Sequence, residues 1–156
     1  MDVLDLKIIK ALQRNGRVKN AELAGKCGIA PSTMLERVRR LEERGLIKGY
    51  RTEFDLKKLG LMIHGFVAVS LKSHNANAID LFEKKVQNIP YIRACYRVAG
   101  RFDYFIHVTA RDLDHYGEII KTRFAAIPGI GKMETFFVME EVKKLESWSV
   151  SDCLAQ

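Results

Sequence analysis

The sequence predicts an α+β chain in two parts. A helical cluster occupies residues 1–60, a four-stranded antiparallel sheet backed by two helices occupies residues 61–145, and a short tail follows at 146–156. Three observations predict this. Apolar spacing is helical as far as Gly45 and then alternates between strand-like and helix-like segments. Glycine and proline punctuation, at Gly16, Gly28, Gly60, Pro90, Gly100 and Pro128-Gly129, falls between those segments. Charge is divided unevenly: residues 1–60 hold 14 of the 26 Lys and Arg but only 8 of the 19 Asp and Glu.

The first helix runs from Asp5 to Asn15, with Leu6, Ile9 and Leu12 or Gln13 at helical spacing and Ile8 beside them. Asp5 is its expected N-cap and Asn15-Gly16 its stop. Asn20 is the expected cap of a second helix that turns Leu23 and Ala24 inward and ends at Gly28. After the turn Gly28-Ile29-Ala30, Pro31-Ser32 opens a third helix. At about 100° per residue, Met34, Leu35, Val38 and Leu41 fall on one side of it. Ser32, Thr33, Glu36 and Arg40 point the other way, with Arg37 and Arg39 on the flanks.

Two helices joined by a tight turn, from Asn20 to Arg39, form the helix-turn-helix pattern, whose second helix fits the major groove of DNA. Small hydroxyl residues near the helix start allow close approach to base edges or phosphates, and arginines reach guanine edges and phosphate oxygens. Leu46 to Phe54 is short and extended and is expected to form a small strand or hairpin, a "wing". The expected DNA-contacting set is therefore Asn20, Ser32, Thr33, Glu36, Arg37, Arg39, Arg40, Lys48 and Arg51. The basic excess lies in this part of the chain, where neutralisation of phosphates would use it.

Beyond a helical turn at Asp55 to Gly60, the order is βαββαβ. Strands are expected at Ile63–Leu71, Ile92–Ala99, Asp103–Ala110 and Ile130–Met139. Helices are expected at Asn77–Asn88, facing inward through Ile79, Phe82 and Val86, and at Leu113–Ile127, facing inward through Leu113, Tyr116, Ile120 and Phe124. This is a ferredoxin-like unit with both helices on one sheet face. The other face would carry Phe66, Tyr96, Phe105 or Ile106, and Phe136. A face so apolar is expected to be covered by a second copy, giving a homodimer that reads two DNA half-sites.

No apolar run is long enough to cross a bilayer, and the start Met1-Asp2-Val3-Leu4-Asp5 lacks the basic and apolar blocks of a signal peptide, so a cytoplasmic protein is expected. The three cysteines, Cys27, Cys95 and Cys153, form no CxxC pair. Cys27 and Cys95 are expected to be buried thiols, with Cys153 in the tail. His64, His74, His107 and His115 include no HxxxH pair, so neither a metal nor a cofactor is expected.

Four stretches resemble one family. LDLKIIKALQRNGRVKNAELA at Leu4–Ala24, LERVRRLEERGLIKGY at Leu35–Tyr50, GRFDYFI at Gly100–Ile106 and PGIGKMETFFVMEEVK at Pro128–Lys143 are similar, in order, to segments of the Lrp/AsnC transcription regulators. The resemblance spans residues 2–145. It implies a winged DNA-binding domain, a C-terminal domain that dimerises and assembles further, typically to an octamer, and an amino-acid effector bound in clefts between dimers. Carried over by position, the effector cleft would involve the loop Gly100, Arg101, Phe102, Asp103 and Tyr104, with Leu113, Phe136 and Val138. Gly100 would let backbone N–H groups meet a carboxylate, and Asp103 would meet an α-ammonium or else cap the turn. Arg97 stands where relatives often have an apolar residue and is either a ligand contact or a surface charge. The same two-part fold also resembles that of sirohaem decarboxylases, so an enzyme is the competing reading.

Overall fold

The computed structural model describes residues 1–143. It holds two compact units, Met1–Glu53 and Phe54–Glu141, each with its own core. The expected tail at 146–156, with Cys153, lies outside the described residues.

The first unit is three helices: α1 (Val3–Arg14), α2 (Asn20–Cys27) and α3 (Pro31–Glu43). Helix α1 begins earlier than expected because Asp2, not Asp5, is its N-cap. The Asp2 side chain accepts from the Asp5 amide (2.8 Å) and the Asp5 side chain accepts from the Asp2 amide (3.1 Å), a reciprocal capping box. Asn20 is the first residue of α2 and caps nothing; Lys19 holds the cap position without a side-chain bond. Gly28 closes α2 at φ 68°, and the Ile29 amide reaches back to the Ala24 carbonyl (3.1 Å). Pro31 then opens α3 at the position where a missing N–H costs nothing.

Ile8, Leu23, Ala24, Met34, Val38 and Leu41 form this unit's core, with Leu12 rather than Gln13 packed against it. Leu35 was expected among them but is 57% exposed. It lies about 100° from Met34, at the edge of a stripe that Met34, Val38 and Leu41 already fill. The expected wing strand does not form. Neither strand nor hairpin appears over residues 46–54: a bend at Leu46-Ile47 leads into irregular chain that joins no sheet. The segment is held instead by the Tyr50 hydroxyl, which donates to Glu42 Oε1 (2.9 Å).

The second unit has strands β1 (Ile63–Leu71), β2 (Ile92–Arg97), β3 (Tyr104–Ala110) and β4 (Ile130–Phe137), with helices α4 (Ala76–Gln87) and α5 (Leu113–Ile119). The strand order is β2-β3-β1-β4 and all pairs are antiparallel. Strands β2 and β4 end sooner than expected, and β3 starts one residue later. Asn75 caps α4 by accepting from the Ala78 amide. Alternation sends Val67, Val69, Tyr104, Ile106 and Val108 to the helices, where Phe82, Val86, Ile119 and Phe124 meet them.

Helix α5 is shorter than expected and continues as a π-helical turn, Ile120–Phe124. Within α5 the buried pair is His115 and Ile119, one turn apart, with Tyr116 and Ile120 packed beside them; Leu113, two positions before His115, falls on the far side and is 61% exposed. On the other sheet face stand His64, Phe66, Phe105, His107 and Phe136; Ile106 is buried on the helix side, which resolves the pair left open above. Cys95 is exposed, contrary to expectation, because β2 is an edge strand; Cys27 is partly buried.

Gly65 lies on β1 opposite Phe137 of β4. A Cβ there would stand 2.8 Å from the Phe136 carbonyl oxygen, a backbone atom that cannot swing away. Gly65→Ala should therefore cost about 1–3 kcal/mol, read as a lower urea midpoint with an unchanged slope.

Candidate functional site

The buried stripe of α3 fixes its outward face. Ser32, Thr33, Glu36, Arg39 and Arg40 are all exposed there. Arg39 Nε donates to Glu43 (2.7 Å) and Arg40 lies 3.6 Å from Glu36, both one helical turn away. Such exposed pairs contribute only a few tenths of a kcal/mol, so they hold these guanidinium groups weakly. Lys48 and Arg51 are exposed on the irregular segment after α3, and Asn20 is half-buried at the start of α2.

Arg37 differs from its neighbours. Its Nη1 donates to Asp2 Oδ2 (2.6 Å) and to Asp5 Oδ1 (2.8 Å) at the start of α1. Its side chain is 24% exposed, against 77% for Arg39 and 60% for Arg40. The Asp5 amide and the guanidinium hold the Asp2 carboxyl below its ordinary range, and the two carboxylates raise Arg37 further. Neither aspartate was assigned a part in the site from sequence, although the Asp-x-x-Asp spacing at the chain's start is the signal for the capping box that positions them. Arg44 lines the same crevice of about 310 Å³ with Arg37 and Arg40.

In the second unit the residues assigned to an effector cleft do not gather at one place. Gly100 (φ 149°) and Asp103 lie where β1 ends and β3 begins. Asp103 Oδ2 accepts from the Leu71 amide (2.7 Å) and Oδ1 contacts His74 Nε2 (2.9 Å). Those bonds, the Leu71 amide first, keep the Asp103 carboxyl below its ordinary range. Arg101 donates to Glu134 on β4 (2.8 Å), with its guanidinium carbon 5.1 Å from the Phe102 ring centre. Phe102 is buried.

Tyr104 points the other way, into the core, where its hydroxyl donates to Glu83 (2.8 Å); burial pushes it up to about 12. Arg97 shares with Tyr104, Glu83 and Cys95 a groove of about 410 Å³ between α4 and β2. Burial, then the Glu83 carboxylate, push the Cys95 thiol up to about 11. Leu113 and Val138 sit at the opposite end of the sheet, where the Val138 amide donates to the His64 carbonyl (2.9 Å). Phe136 lies opposite Phe66 on the open sheet face. Leu71 is the last residue of β1 and His64 its second, which puts them roughly 23 Å apart at about 3.3 Å per residue.

That open face holds a ring cluster. His107 stacks on Phe66 (centroids 4.9 Å) and leans on His64 (4.8 Å), and its Nε2 is buried with no hydrogen-bond partner. Among the described residues no three His, Cys, Asp or Glu side chains group as a metal site, and no helix is long and apolar enough to cross a membrane.

Comparison with known proteins covers both units. Residues 1–48 match the model for winged helix-turn-helix DNA-binding domains, and residues 64–148 match that for the Lrp/AsnC ligand binding domain. The chain is similar to the leucine-responsive regulatory protein of Haemophilus influenzae, at 35% identity over 92% of this chain and 87% of that one. It superposes on a transcriptional regulator from Neisseria meningitidis solved as a complex with L-Met, at TM-score 0.91 and 25% identity over 97% and 98% of the two chains. It also superposes on E. coli AsnC, at TM-score 0.83 and 29% identity over 92% and 95%.

Burial, then the nearby His64 and Arg93, lower His107 below its ordinary 6.5, against the weaker opposing pull of Glu141. The unfolded chain therefore takes up this proton first as pH falls. The stability involved is complete above pH 6.5 and is lost as pH drops through the lower folded value. Thermal melting from pH 7.5 to 5 should show that loss in the parent, and His107→Phe, which keeps a ring in the stack, should flatten it.

Proposed function

The chain belongs to the Lrp/AsnC family, and on that basis we propose how a DNA-binding transcription regulator that responds to a small effector divides its work among its residues. Residues 1–60 bind double-stranded DNA and residues 61–145 bind the effector and assemble the protein. One observation carries the DNA reading. The only large apolar stripe of α3 is buried, which leaves Ser32, Thr33, Glu36, Arg39 and Arg40 as an exposed hydroxyl-and-guanidinium face. Those five read and grip the duplex, while Asn20, Lys48 and Arg51 touch its backbone.

The effector is an amino acid. A zwitterion needs amide donors for one end and a carboxylate for the other. The Gly100 loop and Asp103 supply that chemistry, Asp103 with the lone pairs left over from Leu71 and His74. A relative of similar fold binds L-Met. Leu113, Phe136 and Val138 stand too far from Asp103 to enclose one small molecule with it inside a single protomer. The cleft is therefore built between copies: the ring-bearing sheet faces pair two protomers, and dimers assemble further, to an octamer, to close it. Within the dimer the two α3 helices read half-sites one DNA turn, or a multiple of it, apart.

A regulator on DNA works in the cytoplasm, and we assign the chain no catalytic role. The decarboxylase alternative is weaker, since a tetrapyrrole-handling enzyme has no use for an exposed basic reading helix.

Two measurements test these assignments. Duplex affinity should fall steeply with salt, and Arg39→Ala with Arg40→Ala should reduce the slope of log K against log salt by about 0.9 for each phosphate contact removed, with the oligomer intact by light scattering. An unchanged slope removes both arginines from the interface. Asp103→Ala should abolish the heat of L-methionine or L-leucine binding. In the parent that heat should vanish on dilution to the dissociated protomer; binding by isolated protomers would refute the composite cleft.

A further inference from the structure

We propose that Arg37 is a positioning residue rather than a DNA contact: clamped by Asp2 and Asp5, it sets the roll of α3 and so governs discrimination between DNA sequences. The inference rests on the reading of α3 as the recognition helix.

The apolar contact of Met34, Val38 and Leu41 with the core of the first unit is strong but has no preferred direction, and such a stripe tolerates a helix rolling by some degrees about its axis. A reading face does not tolerate it. Bidentate contact with a base edge depends on sub-ångström placement of the side chain. Something directional has to fix the roll, and Arg37 is placed to do so. It lies about 60° from Arg40 and about 40° from Leu41 around the helix, on the border between the reading face and the buried stripe.

The far end of the clamp is itself fixed. Asp2 Oδ1 accepts from the Asp5 amide and Asp5 Oδ2 accepts from the Asp2 amide. The remaining oxygens, Asp2 Oδ2 and Asp5 Oδ1, both accept from Arg37 Nη1. One capping box thus presents two immobilised oxygens to one guanidinium, across 35 and 32 residues of chain. The carboxylates sit on the positive end of the α1 dipole, which favours their charge even without Arg37. Asp5 is among the few buried charged residues in the described chain, and Arg37 is its only cationic partner there.

The proposal reverses the expectation from simple electrostatics. Removing two acidic groups from a DNA-binding unit should tighten binding to any duplex. Here it should loosen binding to the right duplex and spare or strengthen binding to the wrong one.

The test uses the full chain with two probes: a duplex selected by the parent from a random library, and a scrambled duplex of the same composition. Arg37→Met keeps the packed stem and removes the charge. It should weaken binding to the selected duplex by about tenfold, comparable to one mismatched base pair, leaving the scrambled duplex within about twofold and the salt slope unchanged. Asp2→Asn with Asp5→Asn, which keeps capping residue types, should likewise lose discrimination while binding the scrambled duplex as well as the parent or better. Arg37→Lys, which can reach one carboxylate but cannot brace both, should recover part of the discrimination. Equal weakening on both duplexes with a slope reduced by about 0.9 would make Arg37 an ordinary phosphate contact. Unchanged binding to both, or no recovery with lysine, would also overturn the proposal. A parent that fails to distinguish the two duplexes would overturn the recognition-helix reading beneath it, and the clamp with it.

Discussion

Burial of Met34, Val38 and Leu41 against Ile8, Leu23 and Ala24 is the contact that fixes which face of α3 points outward. These residues recur at intervals of four and three, so they fill one stripe of α3 and leave the rest of its circumference to water. The hydroxyls and guanidiniums are outward because the apolar residues are inward. Each fully buried side chain contributes about 1.5–3 kcal/mol of transfer free energy, several times what the exposed ion pairs on the far side contribute. The face is thus held by a large force that none of its own residues supplies, and those residues are left available for a partner.

The second unit follows the same logic with a different period. Alternation along β1 and β3 sends aliphatic side chains to the helices and aromatic and histidine rings to the open face. Residues that are neighbours in a signature need not be neighbours in function. Asp103 braces the end of β1, while adjacent Tyr104 turns through the sheet to hold Glu83. The GRFDYFI stretch is a structural corner, braced on one side of the sheet by Asp103 and on the other by Tyr104.

Much of this was legible in the sequence. The βαββαβ order, the helix pair around Gly28, and the inward residues of α4 follow from period and punctuation, because burial dominates those segments. The differences arise where a local device outcompetes the pattern. The cap at Asp2 is hard to see in the sequence, because the first carboxylate of a capping box looks like frayed terminus until the second answers it. Leu113 lies outside because the buried pair of α5 is His115 and Ile119, and a histidine gives no apolar signal of an inward position. The wing was expected as a strand from its composition, yet composition cannot supply a second strand to pair with. The partner of the Arg37 guanidinium, 35 residues away, leaves no trace in spacing.

The Cys95 thiol has a practical consequence. Surface cysteines are usually a protein's chemical weak point, because the thiolate is the form that oxidants and alkylating agents attack. With its thiol pushed up to about 11, Cys95 holds less thiolate at neutral pH than a free cysteine does. The groove that shelters it keeps an open sheet edge chemically quiet, so an accessible sulfur need not be a reactive one.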